Sequence, residues 1–178
     1  MSTVVGLIDG KDVYIGADSR ASTEDGDIRP IICNKILRNG KYLVGFTGSV
    51  RGGQVLLPYY FKFPKHVYLV PDYIREQFKN KGCLGVSENN TDAHGCNYII
   101  ATQGRLYEIL CDFQLNQIES FTSVGSGSHY AFGSLITTKM LIEEGGCKIT
   151  PIERITLALK AAIEYDSSTG PPIVIEKL

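Results

Sequence analysis

Residues 2–22 read STVVGLIDGKDVYIGADSRAS, and this stretch decides the fold. Thr3 to Ile8 is rich in β-branched residues, Asp9-Gly10-Lys11-Asp12 is a turn signal, and Val13 to Ala17 is apolar again. That pattern predicts a β-hairpin beginning at the second or third residue. Chain ends fray unless a sheet ties them down, so a strand starting this early predicts an N-terminus built into a sheet.

The same signals recur downstream. Ser22 to Asp27 is polar and predicts a loop. Ile31–Leu37 and Tyr42–Phe46 predict a second hairpin turning at Arg38-Asn39-Gly40-Lys41, where Asn39-Gly40 suits positive φ. Residues 49–57 allow only a short helix, because Gly52-Gly53 weakens it and Pro58 and Pro64 limit it. Pro71 opens a helix through about Lys79, ending near Gly82. Cys96–Thr102, the turn Gln103-Gly104 and Arg105–Cys111 make a third hairpin, and a strand near Ile118–Thr122 leads into Gly125-Ser126-Gly127-Ser128. A helix over Tyr130–Glu143 places Phe132, Leu135, Ile136, Met140 and Leu141 on roughly one face. Thr150-Pro151-Ile152-Glu153 is a capping box with proline at the first helical position. Its helix runs to about Tyr165, with Ile152, Ile155, Leu157, Leu159 and Ile163 as apolar positions, and Ile173–Ile175 is a last strand. This order suits an α+β fold in which two antiparallel sheets are stacked between helical layers. There is no repeat or linker, so residues 1–178 read as a single domain.

Composition narrows the function classes. The chain is 43% hydrophobic and 21% charged, ordinary for a soluble globular protein. The net charge of −1 and scattered Lys and Arg speak against nucleic acid or an anionic membrane as a general partner. Five cysteines (Cys33, Cys83, Cys96, Cys111 and Cys147), with no C-x-x-C pair and no secretory signal, predict reduced thiols in a cytoplasmic protein. No apolar stretch approaches the roughly 20 residues of a membrane span. His66, His94 and His129 form no metal pattern. Asp92, His94 and Cys96 alternate, but no further ligands lie at recognisable spacing, so neither a metal nor a cofactor is expected.

Ser2 is the candidate nucleophile, although serine is also simply a common second residue. Initiator methionine is generally removed before a small residue, which would leave a hydroxyl and a free α-amine on one residue. A serine hydroxyl needs a base to attack, and an α-amine has a reference pKa of about 7.7–8.0, close to working pH. The amine can take the proton directly or through one water.

Ser2-Thr3-Val4-Val5-Gly6-Leu7-Ile8 followed by Gly16-Ala17-Asp18-Ser19-Arg20-Ala21-Ser22 resembles the opening of proteasome β subunits. The resemblance implies the four-layer αββα fold of N-terminal nucleophile (Ntn) hydrolases and a peptidase activity through an acyl-ester. In that family a buried aspartate lies sixteen positions after the nucleophile. Counting from Ser2 reaches Asp18, whereas counting from Thr3 overshoots it. The family's catalytic lysine matches Lys35 in Lys35-Ile36, one residue late, which implies an insertion between Ser22 and Pro30. A buried Lys35 would disfavour a second positive charge on the α-amine, and Asp18 would neutralise it. Gly45-Phe46-Thr47-Gly48 matches the strand that ends in the oxyanion glycine, Gly48, whose N–H would face the oxyanion. Gly125-Ser126-Gly127 matches the family's G-S-G, which implies that Ser126 is the hydroxyl near the terminal amine. Asp166-Ser167-Ser168-Thr169-Gly170 matches D-x-x-S-G, with Asp166 at the acidic position and Thr169 for the usual serine. The likeness covers residues 2–48 and 124–170; between them only the order of elements matches.

By the same register the specificity-pocket positions fall at Ala21, Ser22, Cys33, Leu37, Phe46 and Val50, which implies a pocket for a small or medium apolar side chain. The family's long helix after the oxyanion glycine is broken here by Gly52, Gly53, Pro58 and Pro64, and Pro171-Pro172 replaces a flexible glycine. The related protease that partners a hexameric unfoldase carries G-D-G-Q where this chain has Ala17-Asp18-Ser19-Arg20, so the proteasome branch fits better. The resemblance implies a peptide or unfolded-protein substrate and a homo-oligomeric ring, and leaves any unfoldase or regulator unidentified. Two other readings stay open: an amidohydrolase acting on a small-molecule amide, and a non-catalytic scaffold in which Met1 persists.

Overall fold

A computed structural model describes residues 2–22, 27–29, 33–57, 62–86 and 92–178. Strands β1 (Thr3–Asp9) and β2 (Asp12–Ala17) form the expected hairpin. The polar stretch expected as a loop is flanked by a short ribbon, β3 (Ala21–Ser22) against β4 (Ile28–Arg29); residues 23–26 lie outside the described residues. The second hairpin is β5 (Ile36–Asn39) and β6 (Tyr42–Gly48). Its first strand starts later than predicted, since residues 33–35 carry no ladder and residues 31–32 lie outside the described residues. Helix α1 (Val50–Gln54) is short, as its two glycines demand, and is capped by Ser49. A 3₁₀ turn, Val67–Leu69, runs into α2 (Val70–Asn80).

A small ribbon follows, β7 (Gly85–Val86) with β8 (Asp92–Ala93), and then the third hairpin, β9 (Cys96–Thr102) and β10 (Arg105–Ile109). Where one strand is predicted near residues 118–122 there are two, β11 (Leu115–Ile118) and β12 (Phe121–Gly125). They belong to different sheets, and the break at Glu119-Ser120 is where the chain crosses between them; Ile8 N–H donates to the Ser120 carbonyl at 2.7 Å. Helices α3 (Ser128–Glu143) and α4 (Pro151–Tyr165) and strand β13 (Val174–Lys177) complete the chain. The Thr150–Glu153 capping box opens α4 as expected.

The first sheet has the order β12-β1-β2-β13 and the second β11-β10-β9-β6-β5, every neighbour antiparallel. Three separate cores reveal four layers. Val5 and Leu7 on one face of β1 pack with Ala131, Leu135, Ile155 and Leu159 of α3 and α4. Val4 on the opposite face packs with Ile15, Leu43, Ile99 and Leu106, filling the space between the sheets. The far face of the second sheet, through Val44, Tyr98 and Ile100, packs on Val70, Ile74 and Phe78 of α2. Adjacent residues of β1 thus serve two different cores, because successive side chains of a strand point to opposite faces. This explains why β1 reads as a continuous apolar run rather than an alternating one.

The helix faces need correction. Of the five residues assigned to one buried face of α3, only Leu135 is fully buried, with Ala131 and Thr138 beside it. Phe132, Ile136, Met140 and Leu141 are exposed. The narrower stripe wins because α4 lies alongside: Arg154 donates to Thr138 Oγ1 (3.1 Å) and to the Leu135 carbonyl (3.1 Å), closing that side of α3. In α4 the buried positions are Ile155, Ala158, Leu159 and Ala162, while Ile152 and Leu157 face outward.

His94 is 4% exposed and sits among Phe78, Tyr98 and Phe113, and neither ring nitrogen has a hydrogen-bond partner. Burial, only partly offset by the Leu110 carbonyl and the Asp112 carboxylate, pulls its pKa down to about 4. An unfolded histidine takes up a proton near pH 6.5, so stability contributed by neutral His94 is complete above that pH and drains away as pH falls towards 4. The loss over that window is about 3 kcal/mol. Urea unfolding of wild type and His94→Phe at pH 7, 5.5 and 4 should show the wild type losing that much more than the variant; parallel curves would overturn the assignment.

Candidate active site

β1 fixes the site by parity. Ser2 shares the facing of Val4 and Thr3 that of Val5, so the two hydroxyls lie on opposite sides of the first sheet. Thr3 is fully buried on the helix side. Thr169 Oγ1 donates to Asp166 Oδ2 and lies 2.7 Å from Thr3 Oγ1. The Thr169 hydroxyl has one proton, already given to the carboxylate, so Thr3 is the donor of that pair. Ser126 Oγ donates to the same Asp166 oxygen at 2.6 Å. The Ser126 N–H bonds the Ser2 carbonyl at 3.0 Å, which ties this network to the residue before Thr3.

Ser2 is 4% exposed and opens instead into a cavity of about 30 Å³ lined by Arg20, Ala21, Ser22, Cys33, Lys35, Phe46, Gly48 and Val50. Residues from four separate stretches of sequence therefore meet around its side chain. Of the positions named for specificity, Ala21, Ser22, Cys33, Phe46 and Val50 line this cavity. Leu37 does not, and packs against the core beneath α2. The Phe46 ring lies flat on Gly53, where a Cβ would come within 2.1 Å of it. Gly53, which weakens α1, is thus what seats Phe46. Burial raises the Cys33 thiol above its usual pKa, with Lys35 acting against it, so the cavity wall there is neutral.

Asp18 ties the arrangement together. Its Oδ1 accepts from Thr3 N–H (2.9 Å) and from Lys35 Nζ (2.8 Å). Its Oδ2 accepts from the N–H groups of Arg20 (3.0 Å) and Gly170 (3.1 Å). Lys35 also donates to the Arg20 carbonyl at 2.6 Å, and both ionic side chains are essentially inaccessible. Gly48 ends β6 at φ +91°, and a Cβ there would lie 1.9 Å from the Gly95 carbonyl oxygen, so only glycine fits.

Two contributors have no role in the sequence reading. Arg20 lines the cavity, supplies the carbonyl for Lys35, and straps the segment before β13 through Ser167 at 2.8 Å. Thr3 holds the Asp166 network. Arg20 lies inside the quoted motif, but nothing in its spacing tells a strap from a surface arginine. Asp92, His94 and Cys96 diverge: Asp92 pairs with Arg75, His94 sits in its aromatic box, and Cys96 meets the Ser49 carbonyl.

Solved structures share this architecture. BPH from Thiobacillus denitrificans in complex with epoxomicin superposes with a TM-score of 0.83 at 19% identity, over 99% of this chain and 97% of that one. A second structure of BPH gives 0.83 at 20% identity over the same shares. Eukaryotic HslV from Trypanosoma brucei gives 0.72 at 16% identity, over 99% and 98%. No protein-family model and no curated protein sequence matches the chain. The chain therefore has the four-layer fold of proteasome-like Ntn hydrolases.

Removing the Asp18 carboxylate strands a buried ammonium, which costs about 3–5 kcal/mol. Asp18→Ala should lose at least that much in urea unfolding, with the loss of its N–H partners added to the stranded charge. Asp18→Ala with Lys35→Met should recover part of it, but not all, because three N–H groups still lack their acceptor at about 1–3 kcal/mol each. Equal losses in the single and double variants would show that the charge of Lys35 is not what Asp18 compensates.

Proposed function

We propose that the chain is an N-terminal serine peptidase that hydrolyses peptide bonds through an acyl-ester on Ser2, once Met1 has been removed. The observation that carries this reading is the division of the two hydroxyls. Thr3 spends its proton on Thr169, whereas Ser2 opens into the cavity that also holds Lys35 and Gly48.

In this mechanism Ser2 Oγ attacks the scissile carbonyl and its proton passes to the α-amine. The Gly48 N–H donates to the oxyanion. The Lys35 ammonium, fixed by Asp18, keeps positive charge beside the amine and favours its neutral, basic form. Ser126 and Asp166 orient the amine, with Thr169 bracing Asp166. Collapse breaks the C–N bond as the ammonium protonates the leaving amine. Water then attacks the ester by the same route and restores Ser2.

The specificity positions are Ala21, Ser22, Cys33, Phe46 and Val50. A cavity of about 30 Å³ holds little more than one water or methyl group, so small apolar P1 residues are preferred. The substrate is a peptide or unfolded segment, and the working form is a homo-oligomeric ring. The exposed Phe132, Ile136, Met140 and Leu141 supply an apolar face of the kind that contacts between copies require.

Intact mass of the untagged protein should show Met1 absent. A peptide epoxyketone, which needs a hydroxyl and a free amine on one residue to close its ring, should add to Ser2 with no leaving group. On fluorogenic peptides Ser2→Ala should reduce kcat/KM by about 10³-fold or more, while a folded Thr3→Val should retain most activity. Retained Met1 together with no hydrolysis would leave the scaffold reading; activity on small amides but not on peptides or casein would favour the amidohydrolase.

Phe46→Ala should raise kcat/KM for leucine at P1 relative to alanine by about tenfold, at a stability cost of about 3 kcal/mol. A wild-type preference for basic or acidic P1 residues would overturn the pocket assignment.

A further inference from the structure

A cavity far larger than the one at Ser2 lies away from it, at the other end of the second sheet. It has a volume of about 600 Å³, within the roughly 300–1,000 Å³ usual for small-molecule sites. The tips of the β5–β6 and β9–β10 hairpins stand side by side there, since Leu43 pairs with Ala101 just inside them. The chain leading into the 3₁₀ turn closes the third side. Seven residues of β6 separate this end from Gly48, about 20 Å at strand rise.

The lining is one-sided in charge. Lys41, Lys65, His66 and Arg105 line it and no carboxylate does, in a chain whose acidic residues outnumber its Lys and Arg. Four exposed cations elsewhere are paired with carboxylates: Arg38 with Glu176, Arg75 with Asp92, Lys139 with Glu143 and Lys177 with Asp12. No ion pair among the described residues involves a cation of the cavity. Lys41 is held in place: its Nζ donates to the Lys65 carbonyl at 2.6 Å and lies 5.5 Å from the centre of the Tyr42 ring. The Arg105 backbone starts the β10 ladder opposite Thr102. Like charges gathered at one mouth repel one another, and an anion bound between them relieves that repulsion.

An aromatic platform completes the site. Tyr68 is 68% exposed, and its ring meets that of buried Tyr107 in a T-shaped contact at 6.5 Å, which steadies it while most of its surface stays accessible. Cationic donors with no carboxylate among them suit phosphate oxygens, with Arg105 as a fork and the lysines as point charges. An exposed tyrosine ring beside them suits a planar heterocycle. We propose that this cavity binds a nucleoside polyphosphate, with Lys41, Lys65 and Arg105 holding the phosphates and Tyr68 stacking on the base.

Titration calorimetry of the full chain with ATP, tripolyphosphate and adenosine at physiological ionic strength tests this. ATP should bind saturably, tripolyphosphate more weakly and adenosine barely. Lys65→Glu and Arg105→Glu should each lower ATP affinity at least tenfold. Tyr68→Ala should lower it about tenfold while leaving tripolyphosphate unchanged. All three side chains are exposed, so the variants should unfold like wild type, which the same urea assay verifies. Absence of saturable ATP binding at millimolar concentration overturns the proposal, as does ATP binding indifferent to both charge reversals. Tripolyphosphate binding as tightly as ATP, with Tyr68→Ala without effect, overturns the nucleoside assignment.

Discussion

One carboxylate holds this molecule's working end together. Asp18 receives donors from the start of β1, from the chain just after β2, from Lys35 and from Gly170, so four segments far apart in sequence converge on two oxygens. A buried carboxylate with that many donors is satisfied, and it is stereospecific, because each donor has one direction from which to arrive. The Thr3 bond matters most: with the return bond from Asp18 N–H to the Thr3 carbonyl it locks the register of β1 against β2 at the first residue of β1. A slip of one residue would exchange the faces of Ser2 and Thr3.

Much of this was legible in the sequence, for reasons that differ by element. Hairpins were readable where turn glycines sit between apolar runs, as at Gly10, Gly40 and Gly104, all at positive φ. The start of α4 was readable because the Thr150–Glu153 pair is a chemical motif rather than a statistical tendency. The proposal of Ser2 over Thr3 rests on counting to Asp18; separately, the Thr3 hydroxyl lies in the interior while Ser2 lines the cavity. Less could be read from periodicity alone. The apolar residues of α3 exceed what one core can cover, and nothing in their spacing says that Ala131 and Leu135 face inward while Phe132 and Met140 do not. The crossing at Glu119-Ser120 was hidden because both strands are short and their partners lie in different sheets. The cationic cavity could not be read at all, since residues 41, 65 and 105 meet only after two hairpins align.

The shape of the cavity at Ser2 is set from behind. Phe46 forms its wall, yet the position of that ring depends on the absence of a side chain at Gly53, outside the cavity lining. Packing of this density transmits a single methyl group across a helix–sheet interface, so the pocket's size is a property of α1 as much as of the residues that line it.

The topology of the first sheet also sets an order of events. β1 and β2 leave the ribosome first, but their outer partners are β12 and β13, and Asp18 meets its Gly170 donor across 152 residues. Every strand of the second sheet lies between residues 36 and 118. During synthesis the second sheet can therefore pair while the first waits with its apolar faces uncovered. The Ser2 environment is completed only when nearly the whole chain has emerged. A chain that stops short of Gly170 carries every residue of the first hairpin but lacks that donor to Asp18, so the surroundings of Ser2 are closed by a late segment rather than by the hairpin itself.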